Sequence, residues 1–384
     1  MRFLFTSIRG QGHTRPLLPF AKALQALGHE AAIASPEDTR AITDKAGIEL
    51  FAVDRMTDAD IKAHWKARGP VEGEEMVRVA IAEMFAGKTA RAAMPKLEAH
   101  IRDWKPDMIL RDSAEFGAFP LAEKYGVPHA RIAVHNNEME AVILRHAEEA
   151  VDLLLADHDL PAQNGAGLWA EPAFTAFPAG FDGDAKHGPD NPPFRVNLSS
   201  RGTAAPSDWT PKTDRPLVYM TFGTVAGGEL FPFREVYAMA VVAAGGLDAE
   251  VLLTTGPNID PEVLGPVPAN VDIQSFVPQD AVLRHSRVVM HHGGSGTLLG
   301  ALEAGVPMVV VPLFADQPNN AARAEAAGLG LAVTDRSAEN MRNAVERVIA
   351  DNGMKRRARE VASEMAEMPG IEAAVERILA MAGH

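Results

Sequence analysis

Short apolar runs, each followed by a stretch with helical periodicity, recur along almost the whole chain. RFLFTSI leads to PLLPFAKALQALG, then to the strand-like HEAAIAS and IELFAV; DMILRD, FGAFPLAEKYG and HARIAVH follow. Strands apolar on both faces and joined by helices predict a parallel sheet covered on each side. The pattern breaks between about Leu160 and Pro216, where Gly, Pro, Asn and Asp crowd PAGFDGDAKHGPDNPPF and SSRGTAAPSDWTPKTDRP. That region reads as loops and a linker. Alternation resumes with PLVYMTFG, AEVLLTTG, VDIQSF, RVVMHH, PMVVVPL and GLAV. The expectation is two α/β halves: residues 1–195, a linker over 196–214, and a second half over 215–366. A terminal helix over 367–384 carries Ile371, Ala374, Val375, Ile378 and Leu379 on one face, which it must bury, in one arrangement by crossing back to the first half.

With 384 residues, the chain is long enough for two such domains. Its 51 acidic against 37 basic residues give a formal charge of −14, a surface that repels nucleic acid and anionic membranes. Absence of cysteine excludes disulfides and thiolate chemistry. No stretch approaches the ~18 apolar residues of a membrane span, and MRFLFTSIRG is too short an apolar run for a signal peptide. A cytoplasmic protein, monomer or homodimer, is the simplest expectation.

Ligands of doubly wound sheets bind beyond the carboxyl ends of the strands, so the loops there carry the functional information. GQGHTRP, after the first strand, puts His13 in a glycine turn; it is either a catalytic residue or part of a turn that merely starts a helix. RVVMHHGGSGTLLGALEAGVPMVVVP is a strand, a glycine loop and a helix beginning near Ser295 or Thr297. Backbone N–H groups and the helix dipole suit a diphosphate there, with hydroxyls from Ser295 and Thr297 and an imidazole from His292. The alternative is a tight turn that needs glycine only for its backbone. The loop is neither a Walker loop nor a dinucleotide GxGxxG. In PLFADQPNNA, Asp316 and Gln317 offer acceptors and a donor for sugar hydroxyls, or Asp316 is simply a helix N-cap. TFGT (221–224) and SFVPQ (275–279) end two further strands on the same edge.

Taken together and in order, SFVPQ, HHGGSGT and GVPMVVVPLFADQPNNA resemble the donor-binding signature of nucleotide-sugar-dependent glycosyltransferases of natural products, the macrolide and flavonoid enzymes among them. GQGHTRPLLPFAKALQALGHE is similar to that family's amino-terminal segment. The resemblance implies a GT-B-type fold, two Rossmann-like domains facing across a cleft, and an inverting single displacement. The amino-terminal half would bind an apolar acceptor, with walls from the variable segments that carry Trp65, Met76, Met84, Phe85, Phe116, Met139, Trp169 and Phe174. The other half would bind a thymidine- or uridine-diphosphate sugar as co-substrate, with no further cofactor and no metal.

Residue by residue, His13 matches the general base and Asp112, otherwise readable as an N-cap, the carboxylate that orients it. Thr224, His292, Gly294, Ser295, Gly296 and Thr297 match the diphosphate site. Phe276 and Val277 match the place where the base stacks and meets backbone hydrogen bonds, and Asp316 and Gln317 the sugar-gripping pair. One position departs from the pattern. Many members carry a glutamate for the ribose hydroxyls where this chain has Gly300, with Glu303 one turn further on. A nucleotide-sugar epimerase and a non-catalytic sugar-nucleotide-binding auxiliary protein share the architecture. The first needs more acid–base groups than one dyad, and the second would be favoured by loss of the dyad.

Overall fold

The computed structural model describes residues 1–183, 192–198, 209–223, 226, 233–257 and 259–383, and divides them into two compact units. The first comprises Met1–Ala176, Asp184–Leu198 and Pro369–His384; the second comprises Phe177–Gly183 and Ser199–Met368.

The first unit is built on seven parallel strands: β1 (Arg2–Thr6), β2 (Glu30–Pro36), β3 (Glu49–Val53), β4 (Met108–Asp112), β5 (His129–Ala133), β6 (Ala173–Thr175) and β7 (Phe194–Arg195). Their order is β3-β2-β1-β4-β5-β6-β7. Successive side chains of a strand point to opposite faces, and here both faces are buried. Phe3 and Phe5 of β1 join Met108 and Leu110 of β4 in one core, while Leu4 and Ile109 join the core on the other face. Burying each such side chain contributes ~1.5–3 kcal/mol, which explains why successive residues at the centre of these strands are apolar. The terminal helix, Ile371–Ala382, turns Ala374, Val375 and Ile378 into the β1 core, against the helix Leu18–Ala26.

One sequence expectation is corrected. The Gly- and Pro-rich region after Leu160 is not only loop: β6 and β7 lie within it and extend the first sheet. They span three and two residues, too few to show a period, and their backbone partners come from distant strands.

The second unit has six parallel strands: β8 (Leu217–Thr221), β9 (Glu250–Thr254), β10 (Val271–Gln274), β11 (Ser286–His291), β12 (Met308–Val310) and β13 (Gly330–Ala332). They lie in the order β10-β9-β8-β11-β12-β13. Val218, Met220, Val288 and Met290 fill one core and Leu217, Tyr219 and Val289 the other, repeating the two-faced pattern.

Both sheets reverse direction of winding once. In the first, the chain lays β2 and β3 on one side of β1 and then places β4 on the other; in the second, β8 and β11 are the corresponding pair. At such a switch point the loops leaving the two central strands diverge and open a crevice at their carboxyl ends. Among the described residues no helix is long and apolar enough to cross a membrane.

Candidate active site

In the first unit, the switch point brings together the loop after β1 and the end of β4. Gly10 has φ 112°, a left-handed conformation that favours glycine, and it starts the short helix Gln11–Thr14 that carries His13. Nδ1 of His13 lies 3.1 Å from Oδ1 of Asp112, the last residue of β4. Asp112 is fully buried, while the His13 side chain keeps 22% of its surface exposed. The carboxylate is held from two further directions: the Ile8 N–H donates to Oδ2 at 2.8 Å and the Ala114 N–H to Oδ1 at 2.6 Å. Asp112 therefore caps no helix. Nδ1 is thus the ring nitrogen that faces the carboxylate, and Nε2 is the other.

Buried charges brace the end of β4. Arg111, with no exposed surface, donates through Nε and Nη2 to the two oxygens of Glu171 at 2.9 and 2.6 Å. Its Nη1 donates to the main-chain oxygens of Asp112 and Glu115 at 3.3 and 3.0 Å. Burial opposes ionisation of Glu171, yet Arg111, His129 and Arg131 outweigh it and hold the carboxyl at about 2. Burial likewise works against charge on His129, but its hydrogen bonds to Glu123 and Glu171 carry it up to about 9.

Past the ends of β1 to β4 lies a small, largely apolar cavity of about 10 Å³, room for about one water. Ile8, Pro36, Val53 and Phe116 line it, with Phe85 and Thr89 from a wide, π-type helical stretch, Val79–Thr89. Glu115 contributes a carboxyl whose pKa burial raises and whose oxygens accept from the Thr6 hydroxyl at 2.7 Å and the Gly117 N–H at 2.7 Å. Of the aromatic and methionine residues named from sequence, Phe85 and Phe116 reach this pocket. Met84 and Phe174 are buried, and Trp65 and Met76 line a separate surface hollow.

In the second unit, β11 ends at His291 and the helix Ser295–Ala304 begins with Gly294 at its N-cap. Among the described residues no side chain caps it, which suits its first N–H groups to an anion. The His292 ring sits between two glycines: a Cβ at Gly223 or Gly294 would come within 2.8 and 2.5 Å of it. Among the described residues its buried Nδ1 has no hydrogen-bond partner, and burial holds its pKa down at about 4. His291 is fully buried, and its Nδ1 accepts from the Gly293 N–H at 3.1 Å. Gly296 is exposed, and Thr297 faces inward in the first turn. Thr224 lies outside the described residues.

The loop after β12 reaches the same place. The Ser295 hydroxyl donates to Oδ2 of Asp316 at 3.1 Å, and the Asn320 amide donates to that oxygen at 2.9 Å and to the Gly293 carbonyl at 2.8 Å. Asp316 occupies the N-cap position of the helix Gln317–Ala326, yet its side chain makes no capping bond. Before it, Ala315 has φ 56°, a costly conformation for a residue with a Cβ and one found disproportionately at functional sites. Oε1 of Gln317 accepts the N–H groups of Leu313 and Phe314 at 2.8 and 3.1 Å, which leaves its amide nitrogen as the donor end.

After β10, Phe276 is 74% exposed, unusual for a large aromatic residue, whereas the Val277 side chain is in the core. Val277 can therefore meet a ligand only through its backbone. A Cβ at Gly300 would lie 2.5 Å from the Gln279 amide nitrogen, so Gln279 occupies the space a side chain at 300 would take. Sequence reasoning missed His135, Gln279 and Asn320. Asn320 was detectable as the i+4 partner of Asp316 on one helix; His135 and Gln279 become significant only through spatial neighbours.

Residues 238–381 match the family described as erythromycin biosynthesis protein CIII-like, C-terminal domain. The chain is 27% identical to NDP-glycosyltransferase YjiC of Bacillus subtilis, over 97% of this chain and 95% of the relative. Among solved structures it superposes on the glycosyltransferase SnogD of Streptomyces nogalater with a TM-score of 0.75 and 26% identity, covering 100% of this chain and 99% of the other. Glycosyltransferase VinC, solved in complex with dTDP, gives a TM-score of 0.78 at 24% identity and covers 100% of both chains. The fold is GT-B, and the chain is a glycosyltransferase. More particularly, its similarity is to glycosyltransferases of antibiotic and natural-product biosynthesis.

Proposed function

We propose that the enzyme transfers a sugar from a nucleoside diphosphate to a hydroxyl of an apolar small molecule, with inversion at the anomeric carbon. His13 acts as base. Its Nε2 takes the proton of the acceptor hydroxyl as the oxygen bonds to the anomeric carbon, and the bond from that carbon to the diphosphate breaks with its electron pair. Asp112 stabilises the imidazolium that results. The observation that carries the reading is the His13–Asp112 contact at 3.1 Å, between a part-exposed imidazole and a buried carboxylate.

The donor side follows from the second unit. The uncapped start of the helix Ser295–Ala304 holds the diphosphate and stabilises its departing charge. The exposed Phe276 ring stacks on the base, and Asp316 with the Gln317 amide grips sugar hydroxyls. A thymidine-diphosphate donor is favoured, because Gly300 has no group for a ribose 2′-hydroxyl. The first unit, which carries His13, receives the acceptor.

The deciding experiment offers the protein a panel of nucleotide sugars and measures nucleoside diphosphate release with and without a library of phenolic and macrocyclic acceptors. Release that depends on acceptor supports the proposal. Interconversion of donors without acceptor would establish an epimerase instead, and neither activity would point to an auxiliary binding protein.

A further inference from the structure

Hydrogen bonding to Asp112 fixes one atom of the His13 ring, Nδ1, but a single contact leaves the ring free to pivot about it. A second side chain restricts that pivot. The ring of His135 lies 5.9 Å from that of His13, centroid to centroid, with the planes at 71°. This is the edge-to-face arrangement that rings prefer. Asp112 and His135 thus both meet the His13 imidazole, one at Nδ1 and one through a ring-to-ring contact.

His135 is itself held firmly. It follows β5, the neighbour of β4, and its N–H donates to Oε1 of Glu140 at 3.2 Å. The preceding N–H, of Val134, donates to the Ser113 hydroxyl at 3.0 Å, and Ser113 in turn donates to Glu140. Glu140 is fully buried and pairs with Arg131 at 3.1 Å. On the other side, the Asn136 side chain caps the helix Asn137–Ala156 by accepting the Met139 N–H at 3.0 Å. Ser113 adjoins Asp112 in the chain, so one buried polar cluster sets the backbone on both sides of the base.

We propose that His135 is a positioning residue for His13: its ring fixes the plane of the base so that Nε2 stays aligned with the acceptor hydroxyl. The proposal rests on His13 being the base. Alignment matters because a displacement of about 1 Å at a reacting group can cost on the order of 10²-fold in rate.

The test compares His135→Ala and His135→Phe with the unaltered enzyme. Each is assayed at saturating donor with an aliphatic alcohol and with a phenol acidic enough to be ionised at the assay pH. His135→Ala lowers kcat for the alcohol by roughly 10-fold, short of the loss for full displacement. It leaves the acceptor KM, and kcat for the ionised phenol, unchanged. His135→Phe keeps the ring contact and restores kcat for the alcohol to within about 3-fold.

Unchanged alcohol turnover in His135→Ala, an equal loss with the ionised phenol, a rise in acceptor KM alone, or a His135→Phe as impaired as His135→Ala would each overturn the proposal. If His135→Ala does not fold, His135→Gln against His135→Phe reads the same contrast. His13→Ala in the same assay separates the two levels. Normal alcohol turnover there removes the base itself, whereas impaired His13→Ala beside unaffected His135→Ala removes only the role of His135.

Discussion

Nδ1 of His13 and Oδ1 of Asp112, 99 positions apart in sequence, approach to 3.1 Å where β1 and β4 run side by side. The proposed role of this pair, a base with its orienting carboxylate, makes His13 the first residue to test. His13→Ala is expected to lower turnover with an ordinary alcohol by roughly 10²–10⁴-fold, the range for loss of a general base. Donor affinity, measured by titration with the nucleoside diphosphate, should be nearly unchanged. Asp112→Asn is expected to reduce both turnover and melting temperature. Its oxygens accept the N–H groups of Ile8 and Ala114, and an amide NH₂ cannot replace both acceptors.

Among the described residues no side chain caps the start of the helix Ser295–Ala304, which suits it to stabilising a departing diphosphate without a cation. Activity is expected to survive exhaustive treatment with EDTA. Complete loss, restored by magnesium or manganese, would show that the helix terminus is insufficient.

At Gly300, a Cβ would meet the Gln279 amide at 2.5 Å and the Leu283 side chain at 3.2 Å. The end of the Gln279 side chain lies in that space, and glycine itself offers no carboxylate to a ribose hydroxyl. A hydrogen bond from a hydroxyl to a charged group is worth ~1.5–3 kcal/mol. Without it, thymidine diphosphate should inhibit at least as strongly as uridine diphosphate. Ten-fold stronger inhibition by uridine diphosphate would mean that another group, Glu303 or a water, serves the 2′-hydroxyl.

His129 provides a pH dependence whose sign is determined by its partners. Glu123 and Glu171 raise its pKa from 6.5 to about 9 in the folded protein, against the effect of burial. A raised pKa stabilises fully below the unfolded value, and that contribution disappears as pH rises through the folded one. Melting temperature should therefore fall between pH ~6.5 and ~9, by an amount reflecting on the order of 3 kcal/mol. His129→Gln should be less stable at pH 6 and show a flatter profile; a parallel profile would assign the alkaline loss to other groups.

The alternation of strands and helices was legible because it follows from local periodicity. The central residues FLF, MIL and VVM of three such strands are apolar because both faces of each strand are covered. The helix after HHGGSG begins at Ser295, within the expected turn. β6 and β7 were not legible, since a strand of two or three residues exists only through the neighbour that pairs with it. The glycosyltransferase motifs were readable as ordered segments, but the residues that support them were not. Nothing in SFVPQ says that Gln279 covers Gly300, and nothing in VHNNE says that His135 faces His13.

By itself the sequence determined the α/β class, the two-part organisation of strands and helices, and the loops in which polar chemistry is concentrated. These depend on interactions within a few residues: apolar spacing, glycine at turns, and the open N–H groups at a helix start. Only the tertiary structure decided which distant loops meet. Strand order sets Asp112 beside His13 and Asp316 beside Ser295, and strand order is the outcome of packing whole helices against a sheet. A carboxylate becomes an orienting group, or an amide a filler of empty space, through a neighbour that local sequence does not specify.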